Sequence, residues 1–157
     1  MNTNALKKFA TAARRKLIAQ VTAKLDYVLG SDSPALRERA DALGKLRKEL
    51  TRTTRTDLIE RVAYTWFNRF VALRFLDAND YQPSGIRAVS PTDGFTTPQL
   101  LDEAKQGNVP DQLPVDAKRV LDLLDGRLPS RDPQNEAYQL LLIAACNALY
   151  TPLPFLF

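Results

Sequence analysis

The sequence contains no histidine and a single cysteine, Cys146, among its 157 residues. Without histidine the chain lacks the commonest general base and the commonest metal ligand of proteins, and one cysteine cannot build a structural zinc site. One cysteine also excludes an internal disulfide, which fits a reducing cytoplasm. Its place in an apolar run predicts a small buried side chain rather than a reactive thiol.

Glycine is scarce as well, with six residues, and alternating runs rich in valine or threonine are few. Both features argue against a β-sandwich or a β-barrel. Apolar residues recur instead at helical spacing, and several helix starts are marked by a capping residue followed by proline. We therefore predict an all-α fold, an irregular multi-helix bundle of about five or six helices. A single domain over residues 1–157 is expected, with its core around 58–77 and 136–149 and a loop-rich segment at 78–131.

Residues 64–77 form the most aromatic stretch of the chain, YTWFNRFVALRFLD. They include the only tryptophan and three of the seven phenylalanines, and their apolar residues are distributed around nearly all sides of a helix. Such a helix is normally buried at the centre of a domain. We expect it to follow an N-cap at Thr56 and to end at Asp77.

Four polar side chains interrupt this apolar stretch. Arg74 and Asp77 are three residues apart, a spacing that allows them to pair along the helix. Asn68 and Arg69 have two interpretations: they contact a ligand or an adjoining domain, or they fix the register of the helix through internal hydrogen bonds. The internal role is favoured, because an unpaired charge in a core is very costly.

Three blocks of the sequence resemble one protein family. They are residues 64–77; the start, MNTNALKKFA at 1–10 with ARRKLI at 13–18; and the end, CNALYTPLPFLF at 146–157. Together they resemble the N-terminal region of PglX, the adenine-specific DNA methyltransferases of bacterial BREX phage-defence systems. The blocks follow the family's order along the whole chain. The resemblance implies that this chain is the N-terminal piece of a much longer enzyme that depends on S-adenosylmethionine.

The motifs that carry adenine methylation are missing from the chain. Such an enzyme needs a glycine-rich turn after a strand for S-adenosylmethionine, and an Asn/Asp-Pro-Pro-Tyr/Phe tetrapeptide for the flipped adenine. The sequence has no Gly-x-Gly, and its Asp132-Pro133 is followed by Gln134. We therefore expect no catalytic, cofactor-binding or metal-binding residue here and assign the chemistry to the rest of the parent enzyme.

Positive charge is concentrated in the first part of the chain. Residues 1–61 contain 14 Lys and Arg against 7 Asp and Glu (+7), and residues 62–157 contain 8 against 11 (−3), which together give +4. This asymmetry favours an anionic partner near the N-terminus.

Residues 4–29 are predicted to form a helix with an apolar stripe that faces the core. The candidate contacts to the DNA backbone lie largely on its other side: Lys7, Lys8, Arg14 and Arg15. The alternative is a solvated basic face that keeps the domain soluble.

Three other polar segments have a functional and a simpler interpretation. A second helix is predicted from Ser33-Pro34 to Leu50, and much of its charge is expected in i, i+4 pairs. Residues 51–56 either bind a phosphate ahead of a helix or form caps and turns, which is the commoner case. Asp116, Asp122 and Asp125 suggest a metal site, but their spacing does not match a calcium loop, and a solvated acidic face is expected.

The leading hypothesis is a helical domain that scaffolds a catalytic domain and contacts the DNA backbone. The competing hypothesis is a protein-interaction domain that docks other subunits of the defence system or a phage-encoded DNA mimic. A stand-alone helical protein is a third option, which the apolar end at residues 153–157 argues against, because it favours a piece of a larger protein. No membrane partner is expected, since the apolar helix at 137–149 is shorter than the ≈20 residues that span a bilayer. The expected location is the cytoplasm.

Overall fold

A computed structural model describes residues 3–157, except for the side chain of Ala35. Its helices are α1 (Thr3–Gly30), α2 (Pro34–Arg37), α3 (Ala40–Leu50), α4 (Arg55–Ala78), α5 (Gln99–Lys105), α6 (Ala117–Leu124) and α7 (Pro133–Tyr150). No β-strand occurs in these described residues. The predicted all-α class is confirmed. Of the seven helices, α2 has only four residues, and the other six are longer.

Short polar side chains cap α4, α6 and α7 where the sequence changes from loop to apolar periodicity. Asp132 accepts a hydrogen bond from the backbone N–H of Asn135 at 3.1 Å, so α7 begins with the predicted cap and proline. Helix α4 starts two residues earlier than expected, because Thr54 and not Thr56 is the cap. The Thr54 hydroxyl accepts from the N–H of Asp57 at 3.1 Å, which satisfies a donor that the first turn leaves open.

The predicted second helix is interrupted, and this expectation was wrong. Helix α2 ends at Arg37 and α3 begins at Ala40, with Arg39 in a non-helical conformation (φ −112°, ψ 30°) between them. The N–H of Arg39 bonds to the carbonyl of Leu36 at 3.1 Å, the tighter i→i−3 pattern in which short helices often end. The side chains of α2 and α3 therefore do not continue one helical stripe.

The chain divides into two compact units, and the boundary falls within α4. The N-terminal unit comprises the residues up to Asn68, and the C-terminal unit runs from Arg69 to Phe157. The expectation of a single domain over residues 1–157 stays a prediction.

Ion pairs connect the helices of the N-terminal unit. Arg55 of α4 pairs with Asp26 of α1, and Arg61 of α4 pairs with Glu49 of α3 through a 2.6 Å contact. Leu58 and Ile59 are buried in the first turns of α4. This unit is therefore joined by the beginning of α4, which contacts α1 and α3.

Helices α5, α6 and α7 pack on one another and form the core of the C-terminal unit. Leu141 of α7 and Val120 of α6 are both fully buried, at 0% exposure. Each buried aliphatic side chain of this size contributes about 1.5–3 kcal/mol to folding. Residues 136–149 thus belong to the core as predicted.

Helix α4 is buried along one side only, which corrects the expectation of a helix buried all round. Leu73 and Asp77, one turn apart, are fully buried at 0% exposure, whereas Val71 and Phe75 are 50% and 59% exposed. Helices that pack on one side bury residues three or four positions apart. The neighbours in the C-terminal unit cover only the side that carries Leu73 and Asp77.

The buried carboxylate of Asp77 organises the loop that follows α4. Its Oδ1 accepts from the Gln82 side chain at 2.7 Å and from the N–H of Ala88 at 2.9 Å. Its Oδ2 accepts from the N–H groups of Val89 and Ser90 at 2.9 and 2.8 Å, and from the Ser90 hydroxyl at 2.8 Å. A buried carboxylate is tolerable only when its oxygens are hydrogen-bonded in this way.

Arg74 does not use Asp77 as a partner in the way that their spacing allows. Its Nη1 donates to the Ser90 hydroxyl at 2.9 Å, and that hydroxyl in turn donates to Asp77. The arginine therefore supports the carboxylate through a serine that is 16 residues further along the chain. Local spacing indicated the right residues and the wrong contact.

The same loop is attached to α5 and α7. The backbone N–H of Gln99, at the start of α5, donates to the carbonyl of Ser90 at 3.0 Å. The Tyr138 hydroxyl of α7 donates to the carbonyl of Ala88 at 3.0 Å. Asp77 thus fixes a loop on which two core helices depend for part of their position.

Replacing Asp77 should destabilise the C-terminal unit more than any exposed acidic substitution. In Asp77→Asn a side-chain NH₂ group replaces one of the two acceptor oxygens and faces N–H and O–H donors. The variant should therefore lose about 3 kcal/mol of unfolding free energy. Asp93→Asn, at an exposed aspartate of the same unit, should change it by no more than about 0.5 kcal/mol. Urea unfolding measures both, and equal midpoints for the two variants would contradict the role of Asp77.

Candidate nucleic-acid interface

Helix α1 carries the four cations that the sequence marks as candidate DNA contacts, and all four are exposed. Lys7 and Arg14 are seven residues apart, as are Lys8 and Arg15. Because an α-helix has 3.6 residues per turn, each pair lies on one side of α1 about two turns apart. Consecutive residues differ by about 100° around the axis, so the two pairs occupy neighbouring sides of one helix.

Arg14 differs from the other three cations because it has an ion-pair partner. Its Nη2 lies 3.3 Å from Oε1 of Glu60 on α4, and both side chains are more than half exposed, at 65% and 51%. In the described part of the chain no carboxylate lies within 4.0 Å of Lys7, Lys8 or Arg15. These three keep their full charge for an external anion, whereas Arg14 shares its charge with Glu60.

The apolar stripe predicted for α1 is only partly covered. Leu25 is the one buried residue of α1 among those described. Leu6 and Phe9, which were expected to face the core, are 51% and 60% exposed. That part of the prediction was wrong, because no described element of the N-terminal unit covers the first turns of α1. Apolar and basic side chains are exposed together there.

The threonine-arginine segment at 51–56 forms caps and turns. The Thr51 hydroxyl donates to the carbonyl of Lys48 at 2.7 Å, and the Thr54 hydroxyl donates to the Asp57 carboxylate at 2.7 Å. Since both hydroxyls are engaged within the chain, the simpler interpretation of this segment is the better supported one.

Arg69 has an internal contact in the C-terminal unit. Its Nη2 donates to the backbone carbonyl of Phe157 at 2.8 Å, so this side chain connects α4 to the last described residue. That contact agrees with a structural role for Arg69. For Asn68 the choice between an internal and an external partner stays a prediction.

The three aspartates that suggested a metal site have partners within the chain, and Asp125 lies 3.0 Å from Nη2 of Arg127. Asp122 is buried rather than part of a solvated face, which corrects that expectation. Its oxygens lie 2.6 Å from Lys118 Nζ and 3.0 Å from Arg127 Nη1, and the hydrogen bond from Lys118, followed by that from Arg127, lowers the pKa of its carboxyl. Asp116 caps α6 by accepting from the N–H of Arg119 at 3.1 Å. Within residues 3–157 no group of three acidic or cysteine side chains is arranged to bind a metal ion.

Two titratable side chains are buried in the C-terminal unit. Cys146 is buried as predicted, and that burial raises the pKa of its thiol, which keeps it protonated. Burial, followed by the negative charge of Asp77, raises the pKa of Tyr138 from 10.0 to about 12. Both groups are therefore neutral at physiological pH and serve packing and hydrogen bonding.

Among the described helices, none combines the length and the apolar character needed to cross a membrane.

A pocket of about 480 Å³ lies beside α2 and α3, where its lining includes Arg37 and Asp32. Arg37 already donates two hydrogen bonds to Asp32, at 2.8 and 2.6 Å. Arg37 and Asp32 therefore neutralise each other, which leaves Arg47 as the other charged residue of the lining. Helix α1, with four exposed cations, is the better candidate for an anion-binding surface.

The chain is similar over its whole length to two curated proteins. The first is the "Adenine-specific methyltransferase PglX" of Lacticaseibacillus casei (strain Zhang), with 32% identity over 188 residues, covering 100% of this chain and 16% of that protein. The second is the "Adenine-specific methyltransferase BrxX" of Escherichia coli O9:H4 (strain HS), with 31% identity over 180 residues, covering 100% of this chain and 14% of that protein. No family model and no solved structure matches the chain. The two matches confirm the resemblance to PglX, and the chain spans only a small part of each relative's length.

The raised pKa of Tyr138 predicts a loss of stability at alkaline pH. Because folding favours the neutral phenol, this contribution is complete below pH 10 and is lost as the pH rises through about 12. The absorbance titration of tyrosinate in the wild type, minus that of Tyr138→Phe, should show one phenol with a midpoint at about 12. A midpoint at the ordinary value of 10.0 would mean that the hydroxyl is solvated and not bonded to Ala88.

Proposed function

We propose that this chain is the N-terminal helical domain of a longer BREX-type, S-adenosylmethionine-dependent DNA adenine N6-methyltransferase that acts in phage defence. The observation that carries the proposal is the match of the complete chain to PglX and BrxX, at 32% and 31% identity, over a small fraction of their length. In this proposal the domain scaffolds the catalytic domain and contacts the DNA backbone. The parent enzyme is placed in the cytoplasm, where the free thiol of Cys146 stays reduced.

The proposed DNA contact rests on the exposed cations of α1. Lys7, Lys8, Arg14 and Arg15 are all accessible, and α1 contains one acidic residue, Asp26, near its other end. Lysine and arginine side chains on a helix surface bind phosphates without reading bases, and each contact releases counterions from the duplex. Such a surface positions an enzyme on DNA and leaves the choice of sequence to another part of the protein.

The chemistry of methylation is assigned to the remainder of the parent enzyme. The described residues form no β-strand, and the six glycines are scattered along the sequence, so they offer no strand with a glycine-rich turn for S-adenosylmethionine. The residues of this chain therefore do not fit that cofactor. Its role in the proposal is to place DNA and to support the catalytic domain.

A second candidate function is supported by the exposed apolar residues of α1. Leu6 and Phe9 lie beside the cations at 51% and 60% exposure, and a phosphate backbone would leave them in water. A protein surface that combines acidic and apolar side chains would cover both. We keep as the alternative a domain that docks other defence subunits or an acidic DNA mimic of phage origin.

A salt titration tests the DNA contact. The 157-residue protein should bind a fluorescent duplex with an affinity that falls steeply between roughly 50 and 200 mM salt. Lys8→Glu and Arg15→Glu should each weaken binding and reduce the slope of log K against log salt by about one unit. Arg131→Glu, an equal charge change at an exposed site in the C-terminal unit, is the control and should leave the slope unchanged. Equal effects of all three substitutions would show a response to net charge alone.

The alternative predicts a different pattern of losses. Phe9→Asp should abolish co-elution with a purified defence subunit or DNA mimic in size-exclusion chromatography, because it places a carboxylate in an apolar contact. Thr11→Asp is the control, since two residues along a helix reach nearly the opposite side. If Phe9→Asp co-elutes as the wild type does, the apolar side of α1 is not a docking surface.

A further inference from the structure

The ion pairs of the N-terminal unit use arginines and leave the lysines without carboxylate partners. Among the described residues of this unit the pairs are Arg14–Glu60, Arg37–Asp32, Arg55–Asp26 and Arg61–Glu49. In the described part of this unit no carboxylate lies within 4.0 Å of any lysine: Lys7, Lys8, Lys16, Lys24, Lys45 and Lys48. All six lysines are exposed. The paired acidic side chains thus neutralise four arginines, and free positive charge remains on the six lysines and on the other arginines of the unit, Arg52 among them.

Helix α3 shows this separation most clearly. Glu49 is four residues after Lys45, the spacing at which much of the charge of this segment was expected to pair. Glu49 Oε1 instead lies 2.6 Å from Nη2 of Arg61 on α4. Asp41, the other acid one turn from Lys45, is exposed and lies more than 4.0 Å from its ammonium group. The expected pairing along this helix was therefore wrong for Lys45.

Three cations line one side of α3 and the turn after it. Lys45 and Lys48 are three residues apart, and Arg52 follows four residues later, so they lie on the same side. The N–H of Arg52 bonds to the carbonyl of Glu49 at 2.9 Å, which continues the helical path to that residue. All three side chains are exposed. We name Lys45, Lys48 and Arg52 the α3 basic surface.

We propose that the α3 basic surface is a second contact to the phosphate backbone of DNA, separate from the cations of α1; it rests on the DNA contact proposed above. A lysine without a carboxylate partner binds a phosphate without first breaking an ion pair. Its compact ammonium group suits contacts to phosphate oxygens that do not depend on base sequence. Asp41 on the same side lowers the local charge, so the surface supports a few such contacts rather than many.

The surroundings of these cations favour a phosphate over a protein partner. The residues three and four positions from Lys45 are Asp41, Ala42, Lys48 and Glu49, and none has a large apolar side chain. A protein interface has an apolar centre with a polar rim, as the exposed Leu6 and Phe9 would provide on α1. The α3 basic surface lacks that centre and matches the hydrated, charged contact that DNA backbones form.

The test is a double charge reversal within the complete 157-residue protein. Lys45→Glu/Lys48→Glu should reduce the salt slope of duplex binding by up to about two units and weaken binding at low salt by about tenfold. Lys105→Glu/Arg131→Glu makes the same charge change in the C-terminal unit and should retain the wild-type slope. Lys105 has only a 3.7 Å pair with Asp102 to lose, and thermal melting confirms that each variant is folded.

The outcomes separate this inference from the function on which it rests. If the wild type binds with a steep salt slope and the α3 variant matches the control, the α3 basic surface is not a DNA contact, while the α1 contact stands. If the wild type does not bind duplex even at low salt, both proposals are overturned. A smaller slope in the α3 variant than in the control supports both.

Discussion

The hydrogen bonds around the buried carboxylate of Asp77 are the interaction on which the C-terminal unit depends. Five donors from Gln82, Ala88, Val89 and Ser90 converge on its two oxygens, at 2.7 to 2.9 Å. Without this carboxylate, the backbone N–H groups of Ala88, Val89 and Ser90 would lose their acceptor. With the loop fixed, its carbonyl groups become acceptors for Gln99 and Tyr138, which orient α5 and α7. One charge at the end of α4 thus determines where two core helices attach.

The positions of most helices could be predicted from the sequence, because they depend on local rules. Caps, prolines and apolar spacing indicated α1, α4 and α7 to within a few residues. The partners of polar side chains could not be predicted in this way. Asp77 receives its donors from residues up to 13 positions away, and Glu49 pairs with Arg61 12 positions away. Spacing within a helix favours near neighbours, whereas packing brings in distant donors.

The exposure of the candidate DNA-contact residues could be predicted from the sequence, whereas their ion pairs could not. The charge count placed free positive charge in the first part of the chain, and α1 does expose Lys7, Lys8 and Arg15. The ion pair of Arg14 with Glu60 and the unpaired lysines of α3 became visible only in the fold, because both depend on which acids the arginines use. Three arginines therefore join helices in this unit, and the lysines, together with Arg15 and Arg52, provide the accessible charge.

We propose above that the N-terminal unit contacts the DNA backbone through its exposed cations. Amide chemical shifts of the ¹⁵N-labelled protein, followed as a short duplex is added at low salt, test it most directly. We expect progressive shifts at the amides of α1 and α3, around Lys8 and Lys48, and none in the buried turns of α7. Shifts confined to α5, α6 and α7, or no shifts at all, would contradict it.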